Sequence, residues 1–130
     1  MESPKEREAF SVVKRAKSFT HACRGIKVFI FSTHNSWIHL TLTVLAVILG
    51  IFFCITATEW MILIITIGFV FCAEAFNTAI EFDIDLTSPE YHPYARDTKD
   101  VAAGAVLISS ITSIVIGLII FLPKIITYLK

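Results

Sequence analysis

Charge is what this chain has least of. Asp, Glu, Lys and Arg make up 17% of its 130 residues, against 55% hydrophobic, whereas soluble domains carry roughly 25% charged residues. So little polar surface cannot cover a compact globule in water, and the mean hydropathy of +0.74 agrees. The charges cancel at 11 basic against 11 acidic, so no global field draws the chain to nucleic acid. The apolar fraction excludes disorder. Three cysteines, Cys23, Cys54 and Cys72, are odd in number and match neither a disulfide scaffold nor a metal spacing; they read as small apolar fillers. Glycine is scarce too. Of the five, Gly104 and Gly117 stand nearest, 13 residues apart, so neither a P-loop nor GxGxxG can occur. HExxH and GxSxG are missing as well, and His21, His34, His39 and His92 are too scattered to share a metal. The first 25 residues are charged and lack the apolar stretch of a signal peptide.

The gaps in charge come in blocks. Ile38–Thr58, Trp60–Ala73 and Val101–Pro123 contain no Asp, Glu, Lys or Arg. A bilayer core takes ~20 residues of apolar helix, and the middle run reaches that length by continuing through Glu74 to Phe82. The pattern predicts transmembrane helices over 38–57, 60–82 and 101–123. Ahead of them, Val12, Ala16, Phe19, Cys23, Ile26 and Ile30 recur at steps of four and three. That is one helical stripe, and it predicts a surface helix over about 8–35. Lys14, Lys17, His21 and Arg24 fall largely away from the stripe, towards anionic headgroups. Such a helix is a membrane anchor, a holder of an anionic ligand, or both.

Orientation follows from Lys and Arg. Residues 1–37 hold seven, and the loop 83–100 adds Arg96 and Lys99. The connector Thr56–Glu59 has none, and the C-terminus has Lys124 and Lys130. Nine against two places the N-terminus and the long loop in the cytoplasm.

Glu74, Asn77 and Glu81 are spaced three and four apart. At ~100° per residue they lie within about 60° of one helix face, and Asp85 joins them if the helix continues. An intramembrane carboxylate costs about 2.5–3.5 kcal/mol even on lenient scales. A structural hydrogen bond between Asn77 and a carboxylate is one use for the group; chemistry is the other. Beyond a loop broken by Pro89 and Pro93, Arg96, Asp97, Lys99 and Asp100 stand at the same membrane boundary. Carboxylates there can hold Mg²⁺, and lysine binds phosphate. Phosphoryl transfer needs that combination; a solvated charged turn also explains it. Tyr91 and His92 fit either a nucleotide or local packing.

The run Glu74-Ala-Phe-Asn-Thr-Ala-Ile-Glu81, then Asp85, then Lys99-Asp-Val-Ala-Ala-Gly-Ala-Val-Leu107, resembles the signature of the small bacterial membrane lipid kinases, the prokaryotic diacylglycerol kinase family, which includes undecaprenol kinase. The likeness extends through His21–Ile26, Asn35, Ile38–Leu40 and Gly117–Lys124. It implies an all-α integral membrane protein with an amphipathic surface helix and three transmembrane helices per chain, assembled as a homotrimeric bundle. It implies residence in the bacterial cytoplasmic membrane, with active sites on the cytoplasmic face. It further implies that MgATP donates its γ-phosphate to the primary hydroxyl of diacylglycerol or undecaprenol. By position, Glu74 matches the general base and Glu81 a metal ligand. Asn77, Asp85, Lys99 and Asp100 match the catalytic surround. Glu90, Tyr91 and His92, together with Lys14, His21, Glu81, Lys99 and Asp100, fall at cofactor-contacting positions. Ala102, Ala103, Gly104, Ser109 and Ser113 suit close helix contact in the trimer. The chain departs from the family at Thr33, where many members carry a second metal-binding glutamate; a neutral oxygen there removes one charge from the metal site. Outside the resemblance, the alternative is a non-enzymatic membrane adaptor or ion-relay subunit using the same carboxylates.

Overall fold

A computed structural model describes residues 12–130, all four of its elements helical: α1 (Val12–Ser32), α2 (His34–Phe52), α3 (Ala57–Thr87) and α4 (Pro93–Tyr128). Residues 8–11 of the expected surface helix lie outside this range. The spans are rich in Ile, Val, Thr and Phe, which are indifferent helix formers in water. In lipid no water can satisfy the backbone, so a spanning segment must close its hydrogen bonds internally. α2, α3 and α4 are long and apolar enough to cross a membrane.

The helices differ from the apolar runs at their ends. α3, at 31 residues, and α4, at 36, measure about 46 and 54 Å at ~1.5 Å per residue, well beyond a ~30 Å hydrocarbon core. The excess carries charged sequence, Glu81–Asp85 on α3 and Arg96–Asp100 on α4, outward from the membrane on rigid rods. α2 instead stops five residues short of 57. Cys54 takes φ 49°, Cys54 N–H donates to Ile51 O and Ile55 N–H to Gly50 O, both at 3.1 Å. That is the Schellman stop, usually built on glycine; here a cysteine occupies the left-handed position, so composition gave no warning of it. The connector is accordingly Phe53–Thr56, and Ala57–Glu59 form the first turn of α3. The three cysteines are all exposed, which corrects their reading as packed fillers: Cys23 and Cys72 sit on outward-facing helix surface and Cys54 in the turn after α2.

α3 and α4 form the principal packed pair; α2 lies mainly on α3, and α1 touches α2 and α3. Ser109, fully buried, and Ala102 on α4 let α3 approach closely. Ser109 donates to its own Val106 O, and Thr66 on α3 to Ile62 O, so neither leaves a donor stranded. The apolar core gathers near the turn between α2 and α3, around Ile55, Leu63, Ile120 and Phe121. Elsewhere large apolar side chains face outward, Ile65 72% and Ile119 69% exposed, as suits a protein whose solvent is hydrocarbon. The α1 stripe is outward-facing as well: Phe19, Cys23 and Ile26 are exposed, and Phe29 is the residue that seats α1, edge-on to Phe71 of α3 at 6.2 Å.

Between α1 and α2 the chain is extended at Thr33, φ −122° and ψ 138°. The local sequence Ser-Thr-His-Asn-Ser offers hydroxyls that compete with helical hydrogen bonds. Buried Ser36 donates to Phe29 O at 3.2 Å, satisfying a carbonyl that the end of α1 leaves open.

Candidate active site

The C-terminal half of α3 holds the site. Glu74, Asn77 and Thr78 are buried there, Glu74 only 1% exposed. Burying a carboxylate demands a partner, and one is supplied by α2: His39 Nε2 lies 2.9 Å from Glu74 Oε1. One turn further on, Asn77 Nδ2 donates to Glu81 Oε1 at 2.9 Å. The oxygen of the same amide, Asn77 Oδ1, is buried with no hydrogen-bond partner among the described residues. Such orphans are uncommon in folded proteins, and each marks strain or a ligand.

Next to Glu74 and towards the membrane centre, a cavity of about 190 Å³ opens between α2, α3 and α4. His39 stands at the end nearer Glu74, and the walls are mainly apolar, including Leu63, Val70, Phe71 and Phe121. A second pocket, about 250 Å³, lies between the end of α3 and the start of α4. It brings together Asp85, Glu90, Tyr91, His92 and Lys99, with Arg96 beside them. The helix does continue to Asp85, whose carboxylate pairs with the Lys99 ammonium across the two helices. His92 caps α4, its Nδ1 accepting from Tyr94 N–H at 3.3 Å, and Pro93 follows at a position that needs no donor. Arg96 is held by Asp97 at 2.8 Å and lies 3.9 Å from Asp100.

The remaining expected residues line neither of these two pockets. Asp100 is exposed and faces Arg96 rather than lining the pocket. His21 borders a third cavity with Arg24, Phe29, Thr78 and Phe82, on the α1 side of α3. Lys14 is exposed on the first turns of α1. Thr33 pairs with the Ser36 hydroxyl at 2.5 Å. Among the described residues no cluster of three or more His, Cys, Asp or Glu forms a metal cage. The donors present still fit Mg²⁺: Glu81 and the free Asn77 oxygen are hard, adjacent ligands, and this ion usually takes one or two carboxylates and completes its shell with phosphates and water.

His39 and Ser36 were missed by sequence reasoning. His39 is the lone histidine in the first apolar run, and Glu74 is the first charged residue after the second. Nothing in local spacing pairs His39 with Glu74, since their relative depth is set by how the spans pack.

A sequence description of the family "Prokaryotic diacylglycerol kinase" matches residues 20–121, which contains the buried pair, the Asn77–Glu81 pair and the interhelical pocket. The chain belongs to that family. Among its relatives, an undecaprenol kinase of Bacillus subtilis is 43% identical over 108 residues, 83% of this chain and 88% of that protein. A diacylglycerol kinase of Synechocystis is 32% identical over 85% of this chain, which spans 63% of that longer relative. A diacylglycerol kinase of Helicobacter pylori is 30% identical over 78% of this chain and 85% of its own length. Membership makes this an all-α membrane kinase, and it places the carboxylates of α3 in a phosphotransferase rather than an ion relay.

Proposed function

We propose that the chain transfers the γ-phosphate of ATP to the primary hydroxyl of a membrane lipid alcohol, with undecaprenol favoured over diacylglycerol. The observation that carries this reading is Glu74: a buried carboxylate held by His39, which lines an apolar cavity, and one turn from a second polar pair. The similarity to undecaprenol kinase over 88% of that protein supports the polyprenol; the diacylglycerol kinases among the relatives support the second lipid as the other reading.

In this mechanism the lipid chain lies along the apolar cavity and its hydroxyl reaches Glu74. The carboxylate takes the hydroxyl proton as the oxygen forms its bond to the γ-phosphorus and the bond from that phosphorus to the ADP oxygen breaks. Lys99 leaves Asp85 for the phosphates, which offer more charge. Glu90, Tyr91 and His92 line the nucleotide side, Asp100 orients Arg96, and Lys14 and His21 approach from α1. Glu81, the free Asn77 oxygen and the hydroxyl of Thr33 would hold Mg²⁺. Bound there, the ion neutralises charge on the transferring phosphate.

The chain works as a homotrimer in the bacterial cytoplasmic membrane, with this site on the cytoplasmic face. The excess of Lys and Arg on that side and the broad apolar surfaces of α2 to α4 support the arrangement. The test is purified protein in mixed micelles with γ-labelled ATP and Mg²⁺, offering undecaprenol and diacylglycerol side by side. Label in undecaprenyl phosphate above phosphatidic acid is expected; label in neither lipid contradicts the kinase reading, and phosphatidic acid alone contradicts the lipid assignment.

A further inference from the structure

The role of His39 goes beyond partnering a buried charge. Its imidazole comes from α2, whereas the groups proposed for chemistry ride on α3 and α4. The Nε2–Oε1 contact of 2.9 Å joins two spans at the level of the apolar cavity. Glu74 is 1% exposed and His39 16%, so the contact is formed away from solvent, where competition from water is weakest. A bare imidazole nitrogen and a carboxylate oxygen are both acceptors and would repel at this distance. Glu74 must be a carboxylate if it is to take a proton, so the hydrogen between them belongs to Nε2, which donates to Oε1.

That assignment leaves the two carboxylate oxygens unequal. Oε1 is occupied and fixed, and Oε2 carries the free lone pairs. A glutamate has three rotatable side-chain bonds, and no other side-chain donor is bonded to this one among the described residues. Released from His39 it would turn among several rotamers, of which few point an oxygen at a hydroxyl entering from the cavity. Misplacement of a reacting group by about 1 Å costs on the order of 10²-fold in rate.

We propose that His39 is a positioning residue for the phosphoryl transfer: by holding Oε1 of Glu74 from a neighbouring span, it aims Oε2 at the lipid hydroxyl and so acts on kcat rather than on lipid affinity. This rests on Glu74 being the base. Proton balance is unchanged, since the hydroxyl proton passes to Oε2 and the imidazole keeps its own.

The experiment compares His39→Leu, which removes the donor at similar volume, with His39→Gln, whose amide N–H restores it without a titrating ring. Each is measured for kcat, lipid KM and unfolding temperature in the same detergent, alone and combined with Glu74→Gln. His39→Leu is expected to lower kcat about 10- to 100-fold and leave lipid KM within a few-fold, with His39→Gln recovering most of the loss. In the Glu74→Gln background His39→Leu should add nothing, because there is no carboxylate left to aim. This double variant buries no charge, so it stays folded even if His39→Leu alone does not. Unchanged kcat in His39→Leu, an effect confined to KM, a His39→Gln no better than His39→Leu, or a further loss on top of Glu74→Gln would each overturn the proposal. Near wild-type turnover in Glu74→Gln alone would instead overturn the base assignment, and His39's role with it.

Discussion

At the N-terminal end of α3, Thr56, Glu59 and Lys124 satisfy one another, while in its C-terminal half Asn77 Oδ1 is buried without a partner among the described residues and Glu74 depends on one histidine from another helix. The N-terminal end is a complete capping box. Glu59 N–H donates to Thr56 Oγ1, and Thr56 N–H returns a 2.7 Å bond to the Glu59 carboxylate. Lys124 of α4 adds an ion pair at 3.0 Å. Nearby the Trp60 ring lies so close to Gly50 that a β-carbon there would stand 2.8 Å from it. The C-terminal end trades that closure for open valences: a free amide oxygen, a carboxylate bonded at one oxygen, and exposed ion pairs that a polyphosphate can displace. The contrast teaches which end is built to hold the bundle and which to receive a ligand.

The sharpest break is Glu74→Gln. The shape and a hydrogen bond to His39 remain, but the proton acceptor is gone. General-base catalysis contributes ~10²–10⁴-fold, so kcat should fall by that order in the lipid phosphorylation assay while the unfolding temperature holds. Gly50→Ala is the opposite break. Its methyl meets Trp60 at 2.8 and 2.9 Å and Ile55 at 3.1 Å, and overpacking of this kind costs about 1–3 kcal/mol. Unfolding in detergent should shift down accordingly, with kcat in the folded fraction unchanged.

Smaller effects sharpen the comparison within each end. Thr33→Glu adds a charged oxygen where the proposed metal site has a neutral one. It should lower the Mg²⁺ concentration for half-maximal activity a few-fold and leave lipid KM alone, whereas Glu81→Gln should raise it. The check is a Mg²⁺ titration with lipid in excess. The smallest effect belongs to Lys124→Ala. The Thr56 backbone N–H, and after it Lys124, hold the Glu59 carboxyl below its ordinary range. A lowered carboxyl stabilises the fold where the unfolded chain is ionised, and that contribution fades as pH falls through the folded value. Wild type and Lys124→Ala should therefore differ slightly in unfolding temperature at neutral pH and converge in acid, below the ordinary glutamate range. The gap should also narrow in high salt.

The chain's readability follows the same division. Periodicity and missing charge mark the helices because lipid imposes one simple rule on every span. The Glu74–Asn77–Glu81 face was legible because helical spacing alone aligns it. The stop after Phe52 was not, since a cysteine does there what glycine usually does. Nor was the burial of Phe29 rather than the Phe19 stripe: periodicity identifies an apolar face but not whether protein or lipid covers it. His39 escaped because pairing between spans depends on relative depth, a property of the packed molecule and not of local spacing.

The separation of the two ends is tested most directly by measuring turnover and unfolding temperature together for Glu74→Gln and Gly50→Ala in one detergent. The account predicts a crossing: Glu74→Gln loses turnover and keeps its unfolding temperature, and Gly50→Ala loses unfolding temperature and keeps turnover. If Glu74→Gln unfolds early in proportion to its lost activity, or keeps both, the buried carboxylate is part of the scaffold and the central claim is wrong.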